Sequence, residues 1–173
     1  MTSRYVVFSH GLEGSPWGVK ITALADTARS EGYETVSVDY RGLDNVRDRI
    51  TRLVDSCKDC HGELILVGSS LGGYLSVATA SLLHARGLFL MAPALYLEDL
   101  PPLKAGIIEC PVSIVHGLND AVVPYANSIR FAHEYKAAVH LVQSDHVLHD
   151  QIRFMKYLFE YFLIALDLPT PIA

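Results

Sequence analysis

The stretch that most constrains this chain is Leu64-Ile65-Leu66-Val67-Gly68-Ser69-Ser70-Leu71-Gly72-Gly73-Tyr74. Four consecutive apolar residues read as a buried strand, and a helical pattern follows at once from Leu75 to His84. Gly68-x-Ser70-x-Gly72 lies between them, the pattern of a sharp strand-to-helix turn that lifts one serine above a sheet. A residue held in a strained turn brings its neighbours two before and two after close together, and glycine fits best there. The same frame selects the serine. Ser69 would need glycine at positions occupied by Val67 and Leu71, so Ser70 is the candidate nucleophile.

Elsewhere, short apolar runs alternate with amphipathic ones. Strands are expected at Arg4–Ser9, Thr35–Val38, Leu64–Val67, Gly87–Met91, Val112–Val115 and Val139–Val142. Helical patterns run from Trp17 to Arg29, from about Val46 to Val54, from Ser70 onward, from Tyr125 to Tyr135 and from Val147 to Ala165. Ser15 ahead of Pro16 is expected to cap the first helix, and Asp44 or Asn45 the second. Tyr96 to Glu109, with Pro101-Pro102 and Gly106, is a connection with little helical character. Leu168-Pro169-Thr170-Pro171 reads as a loose tail. Strand–helix alternation throughout predicts an α/β fold with a parallel sheet and helices on both faces. At 173 residues, with no repeat or linker, residues 1–173 are expected to form a single domain.

The totals exclude several classes. Net charge is −5 with no basic run, which argues against a nucleic-acid partner. No apolar run approaches the length of a membrane span, so no membrane partner is expected. The first residues lack the features of a signal peptide, and the expected compartment is the cytoplasm. Cys57, Cys60 and Cys110 do not make a disulfide framework. Cys57-Lys58-Asp59-Cys60-His61 matches a haem-attachment pattern, but no export signal accompanies it, and no second Cys/His cluster supplies metal ligands. No cofactor or metal is expected.

In such sheets the reactive groups stand in loops beyond the carboxyl ends of strands. Those loops carry, in order, His10-Gly11-Leu12, Ser70, Asp120 and His146. A serine, an acid and a histidine in that order, each after a different strand, are arranged as in the α/β-hydrolase triad. The matching segments are SHG, GSSLGG, HGLNDAVVP and SDHVLH, and with them the chain resembles the α/β-hydrolase superfamily from Arg4 to about Leu166, specifically its short bacterial esterase-like members with little or no cap. The family's two leading antiparallel strands have no counterpart here. The resemblance therefore implies a six-stranded parallel sheet in the order 2-1-3-4-5-6 without a large lid.

Chemistry assigns the roles. Ser70 needs a base to take its proton, and His146 stands just beyond the sixth strand. His149, one helical turn on, is the rival and is expected to face solvent. Asp120 would accept from the histidine's other nitrogen, whereas Asp145 reads as a turn residue. The elbow offers the Leu71 N–H to a developing oxyanion, and the resemblance implies the Leu12 N–H as second donor. His10 reads as a loop histidine bonded to backbone. Glu13, if it faced the cleft, would disfavour anionic acyl groups. The cleft is expected to be bordered by Leu12, Leu95, Tyr96 and Leu97. The expected function is a serine hydrolase acting on a small ester or thioester through an acyl-enzyme. The alternatives are a peptidase or amidase on the same triad and a non-catalytic binding protein that has kept the fold. Nothing in the sequence fixes the oligomeric state.

Overall fold

The computed structural model describes residues 3–103 and 106–168. Six parallel strands form one sheet: β1 (Ser3–Ser9), β2 (Glu34–Val38), β3 (Gly62–Ser69), β4 (Gly87–Met91), β5 (Val112–Gly117) and β6 (Ala138–Val142). Their order is β2-β1-β3-β4-β5-β6, as the resemblance implied. The helices are α1 (Val19–Ser30), α2 (Val46–Ser56), α3 (Leu71–Thr79), α4 (Tyr125–Tyr135) and α5 (Ile152–Asp167).

Period-two alternation splits the sheet into two apolar faces. Val7, Leu64, Leu66, Leu88 and Leu90 point to one side, where they pack with Leu53 of α2, Tyr74 and Leu75 of α3 and Phe131 of α4. Val6, Phe8, Ile65, Val67, Phe89 and Met91 point to the other, onto Ile21 and Leu24 of α1 and Phe159 and Leu163 of α5. Strands buried on both faces explain the near-continuous apolar runs of β3 and β4. All six strands run the same way, so their carboxyl ends share one edge of the sheet, and the loops carrying Leu12, Ser70, Asp120 and His146 gather there.

Several boundaries differ from the sequence expectation. Ser15 does not cap α1. The chain makes a turn in which Gly18 N–H donates to Ser15 O, and Gly18 itself precedes the helix without a side-chain cap. Asn45 rather than Asp44 caps α2, accepting from the Asp48 N–H at 2.8 Å. β5 runs two residues further than expected, through His116 and Gly117, which pair with Leu141 and Val142. α3 stops at Thr79, ahead of turns that end in His84 at φ 51°. The last helix begins not at Val147 but at Ile152, after a 3₁₀ turn over His149–Gln151. Leu148 adopts φ 58° there with its side chain fully buried among the α1/α5 core residues.

The expected tail falls mostly on residues 169–171, outside those described. No helix occurs between β4 and β5 among the described residues, and there is no large lid. Part of that connection lies back on the fold: the Tyr74 hydroxyl donates to Pro101 O at 3.1 Å, and Leu100, Leu103 and Ile108 pack on the α3 side of the core. Among the described residues, no helix is long and apolar enough to cross a membrane.

Candidate active site

Ser70 sits where β3 turns into α3, with φ 53° and ψ −119°, a conformation L-residues rarely adopt. The turn is pinned to the end of β4: Ser70 N–H donates to Met91 O at 3.0 Å, and Ala94 N–H donates to Ser70 O at 2.9 Å. The glycine frame has the steric origin expected of it. A Cβ on Gly68 would lie 2.4 Å from Gly72 O. Gly72 carries a second constraint, since its Cβ would lie 2.0 Å from Ser9 O at the end of β1. Ser70 therefore stands at the start of α3, where the helix dipole favours negative charge.

His146 and Asp120 reach this point because two loops are joined edge to edge. Leu118 N–H donates to Val142 O at 2.8 Å, and Asn119 N–H to Ser144 O at 3.0 Å. Gly117 permits that approach, since a Cβ there would lie 2.4 Å from Ser144 O. His146 Nε2 accepts from the Ser70 hydroxyl at 3.0 Å, and His146 Nδ1 donates to Asp120 Oδ2 at 2.7 Å. The Asp120 side chain has no exposed surface, and its Oδ1 accepts from the N–H groups of Val122 and Val123, each at 2.8 Å. Burial alone would raise its carboxyl, but those donors and the His146 ring outweigh it and hold the group below the usual carboxylate range.

The rival residues lie elsewhere. His149 is exposed in the 3₁₀ turn. Asp145 accepts from the N–H groups of Val147 at 2.9 Å and Leu148 at 3.2 Å, so it is a turn residue. Ser69 is buried, its hydroxyl accepting from Lys20 Nζ at 3.1 Å.

The loop after β1 runs alongside Ser70: a Cβ on Gly11 would lie 3.2 Å from Ser70 Cβ. His10 is indeed bonded to backbone, donating from Nδ1 to Gly11 O at 2.7 Å and accepting the Tyr40 N–H at Nε2 at 3.2 Å. The Gly11 carbonyl and the Leu12 N–H belong to one peptide plane, so fixing the first aims the second. The buried Arg49 holds the loop from behind, donating to Leu43 O at 2.7 Å and reaching Leu12 O at 3.5 Å. Among the described residues, neither the Leu12 nor the Leu71 N–H has a hydrogen-bond acceptor, so both remain available to a ligand. Glu13 is exposed.

The expected cleft border needs one correction. Leu95 has no exposed surface and belongs to the core, its carbonyl accepting from Asn127 Nδ2 at 2.7 Å. Tyr96 is tied to α4 by its hydroxyl on Glu134 and by the Arg130 guanidinium 3.9 Å above its ring. Leu12, by contrast, is 60% exposed.

Sequence reasoning overlooked two residues. His116 falls just past the expected end of the fifth strand at Val115, yet it is fully buried and donates from Nε2 to Asp120 Oδ2 at 3.0 Å. Its position four residues before Asp120 was the available signal. Lys20, in the first turn of α1, has no such signal. Burial pushes its ammonium down to about 8, against the pull of Asp145 and Asp120. Cys57 and Cys60 are free thiols at the opposite edge of the sheet, and burial pushes Cys57 up to about 12, which leaves little thiolate for ligation or redox chemistry. Among the described residues, no three His, Cys, Asp or Glu side chains form a group that could hold a metal.

Comparison with known proteins agrees with this architecture. Residues 6–131 match the model of the alpha/beta hydrolase family. A protein of Xanthomonas campestris pv. campestris assigned to the alpha/beta superfamily is 31% identical, with a TM-score of 0.86 over 94% of this chain and 99% of its own. Est1E from Butyrivibrio proteoclasticus is 21% identical, with a TM-score of 0.78 over 95% and 88%. A Xanthomonas campestris protein described as an a/b serine hydrolase without lid is 18% identical, with a TM-score of 0.72 over 99% and 85%. No curated protein sequence matches the chain.

Proposed function

Because the chain belongs to the alpha/beta hydrolase family, we propose that it is a serine hydrolase of small ester or thioester substrates, working through an acyl-enzyme. The observation that carries the reading is the hydrogen-bonded line from the Ser70 hydroxyl through His146 to Asp120, at 3.0 and 2.7 Å.

Each part has its step. His146 Nε2 takes the Ser70 proton as Oγ attacks the carbonyl carbon. The imidazolium that forms is stabilised by Asp120, whose carboxyl stays ionised well into acid. Negative charge on the carbonyl oxygen meets the N–H groups of Leu71 and Leu12, donors that need no reorganisation as the charge develops. The tetrahedral intermediate collapses when His146 returns the proton to the leaving alcohol or thiol, giving an ester on Ser70. Water, activated by the same His146, then attacks that ester and releases the acid and Ser70.

The absence of a large lid supports small, soluble substrates, since an open cleft buries little of a long acyl chain. Paired ester and amide analogues of one acyl group test the reading. Turnover of the ester with little of the amide is expected. Faster turnover of the amide would make the protein a peptidase or amidase, and turnover of neither would leave a binding protein.

A further inference from the structure

Asp120 stands between two histidines. Its Oδ2 accepts from His146 Nδ1 at 2.7 Å and from His116 Nε2 at 3.0 Å. The partners of His116 settle its tautomer. Nε2 faces only acceptors, the Asp120 carboxylate and the Val123 carbonyl at 3.0 Å, so Nε2 carries the hydrogen. Nδ1 then accepts from the hydroxyl of Ser128 at 2.7 Å. Neither His116 nor Ser128 has exposed surface, so water does not replace these bonds. The result is a directed line: Ser128 O–H to His116, His116 N–H to Asp120, and Asp120 accepting from the His146 that meets Ser70.

A donor to a carboxylate stabilises its charged form and draws charge from the shared oxygen. The bond from His116 therefore does two things. It holds Oδ2 where His146 needs it. It also reduces the pull of Asp120 on a proton held by His146. Building on the hydrolase reading above, we infer that His116 is a positioning residue of this site, one that orients Asp120 and sets the pH at which His146 becomes free to act as a base. Two further charged groups lie near Asp120: Lys20 on α1 and, through Lys20, Asp145 in the loop after β6.

The test begins with wild-type protein labelled with ¹⁵N at histidine. Long-range ¹H–¹⁵N spectra should show His116 as the Nε2–H tautomer with a slowly exchanging ring proton. An Nδ1–H tautomer or rapid exchange would overturn the inference. His116→Phe keeps the ring and removes the donor. The midpoint at which the His146 ring titrates should then move up, and the acid limb of kcat/KM should move with it. His116→Gln keeps an N–H near the place of Nε2 and should bring both back toward wild type. Ser128→Ala, a milder change, weakens the polarisation of His116 and should move the midpoint the same way by less. Variants that lose thermal stability while the His146 midpoint stays put would show His116 to be structural only. The His146 midpoint is read without turnover, so it decides this inference even if wild-type protein hydrolyses no ester, which would refute the function proposed above instead.

Discussion

Asp120→Asn is the substitution whose consequence the geometry fixes most closely. Oδ1 accepts from two backbone N–H groups, Val122 and Val123 at 2.8 Å each. An asparagine must leave its oxygen there, because an amide N–H₂ facing two N–H donors would leave all of them unpaired. Its nitrogen then takes the place of Oδ2 and confronts His146 Nδ1 and His116 Nε2, both donors in the native site. His146 relieves the clash by moving its hydrogen to Nε2, and in that tautomer it no longer accepts from Ser70. The base is removed although every heavy atom stays in place. The loss expected in kcat is about 10⁴-fold, or about 5.5 kcal/mol of barrier at about 1.36 kcal/mol per tenfold. Folding should survive, with a cost of about 1–3 kcal/mol for the altered hydrogen bonds. The assay is kcat for a p-nitrophenyl ester, with circular dichroism and Tm as controls and Asp145→Asn as a comparison expected to stay close to wild type. An Asp120→Asn enzyme within about tenfold of wild type would refute the tautomer argument.

Gly72→Ala drives a Cβ to 2.0 Å from Ser9 O, a backbone contact that cannot turn aside, so a stability loss of at least about 1–3 kcal/mol is expected. Gly18→Ala, whose Cβ would meet nothing nearer than 3.6 Å, should leave Tm almost unchanged. Burial pushes His10, His116 and His140 below the usual histidine value. Their folded-state affinity for protons is thus lower than the unfolded one, so the stability they contribute is full above about pH 6.5 and is lost as pH falls through the folded values. Unfolding free energy should fall between about pH 7.5 and pH 5, with a slope of up to about 1.4 kcal/mol per pH unit for each of these histidines, read as a drop in Tm, and a flat Tm across that window would contradict it. With no large lid over the site, kcat/KM for p-nitrophenyl esters should peak at short acyl chains and show no jump at the micelle threshold. Each methylene left in water forgoes about 0.8 kcal/mol of burial, and a preference for long chains would show that the connection after β4 works as a lid.

The fold was legible where periodicity and special residues agree. The apolar run into Gly68-x-Ser70-x-Gly72 located β3, the elbow and α3, because the turn itself brings Gly68 against Gly72 O, whereas the second constraint on Gly72, its approach to Ser9 O of β1, is tertiary. The sequence offered Asp44 or Asn45 as the cap of α2, and it is Asn45 whose side chain accepts from the Asp48 N–H. The expectations that failed depend on contacts that hydrophobic periodicity does not report, some local and some distant. Asp145 captures two backbone N–H groups, and Leu148 turns into the α1/α5 core. Together they delay the last helix by five residues from Val147 to Ile152, although the hydrophobic pattern reads as helix throughout. Leu95 follows β4, where cleft lining is expected, but its side chain is fully buried in the core. In the candidate site, strand-end logic pointed to Ser70, Asp120 and His146, which the topology brings within hydrogen-bonding distance of one another. It missed Lys20 and His116, whose partners lie 49 residues away in one case and in the other are separated from it by only four, inside what read as a loop.

The central claim is that Ser70 is the nucleophile, and covalent capture tests it most directly. Wild-type protein treated with a fluorophosphonate should gain a single adduct, located by peptide mass spectrometry on Ser70 within the segment Gly68–Tyr74. Ser70→Ala should gain none, and Ser69→Ala should still be labelled, since the Ser69 hydroxyl is turned to Lys20 and not to His146. An adduct on Ser69 or on any other residue, or an unlabelled wild-type protein, would contradict the account.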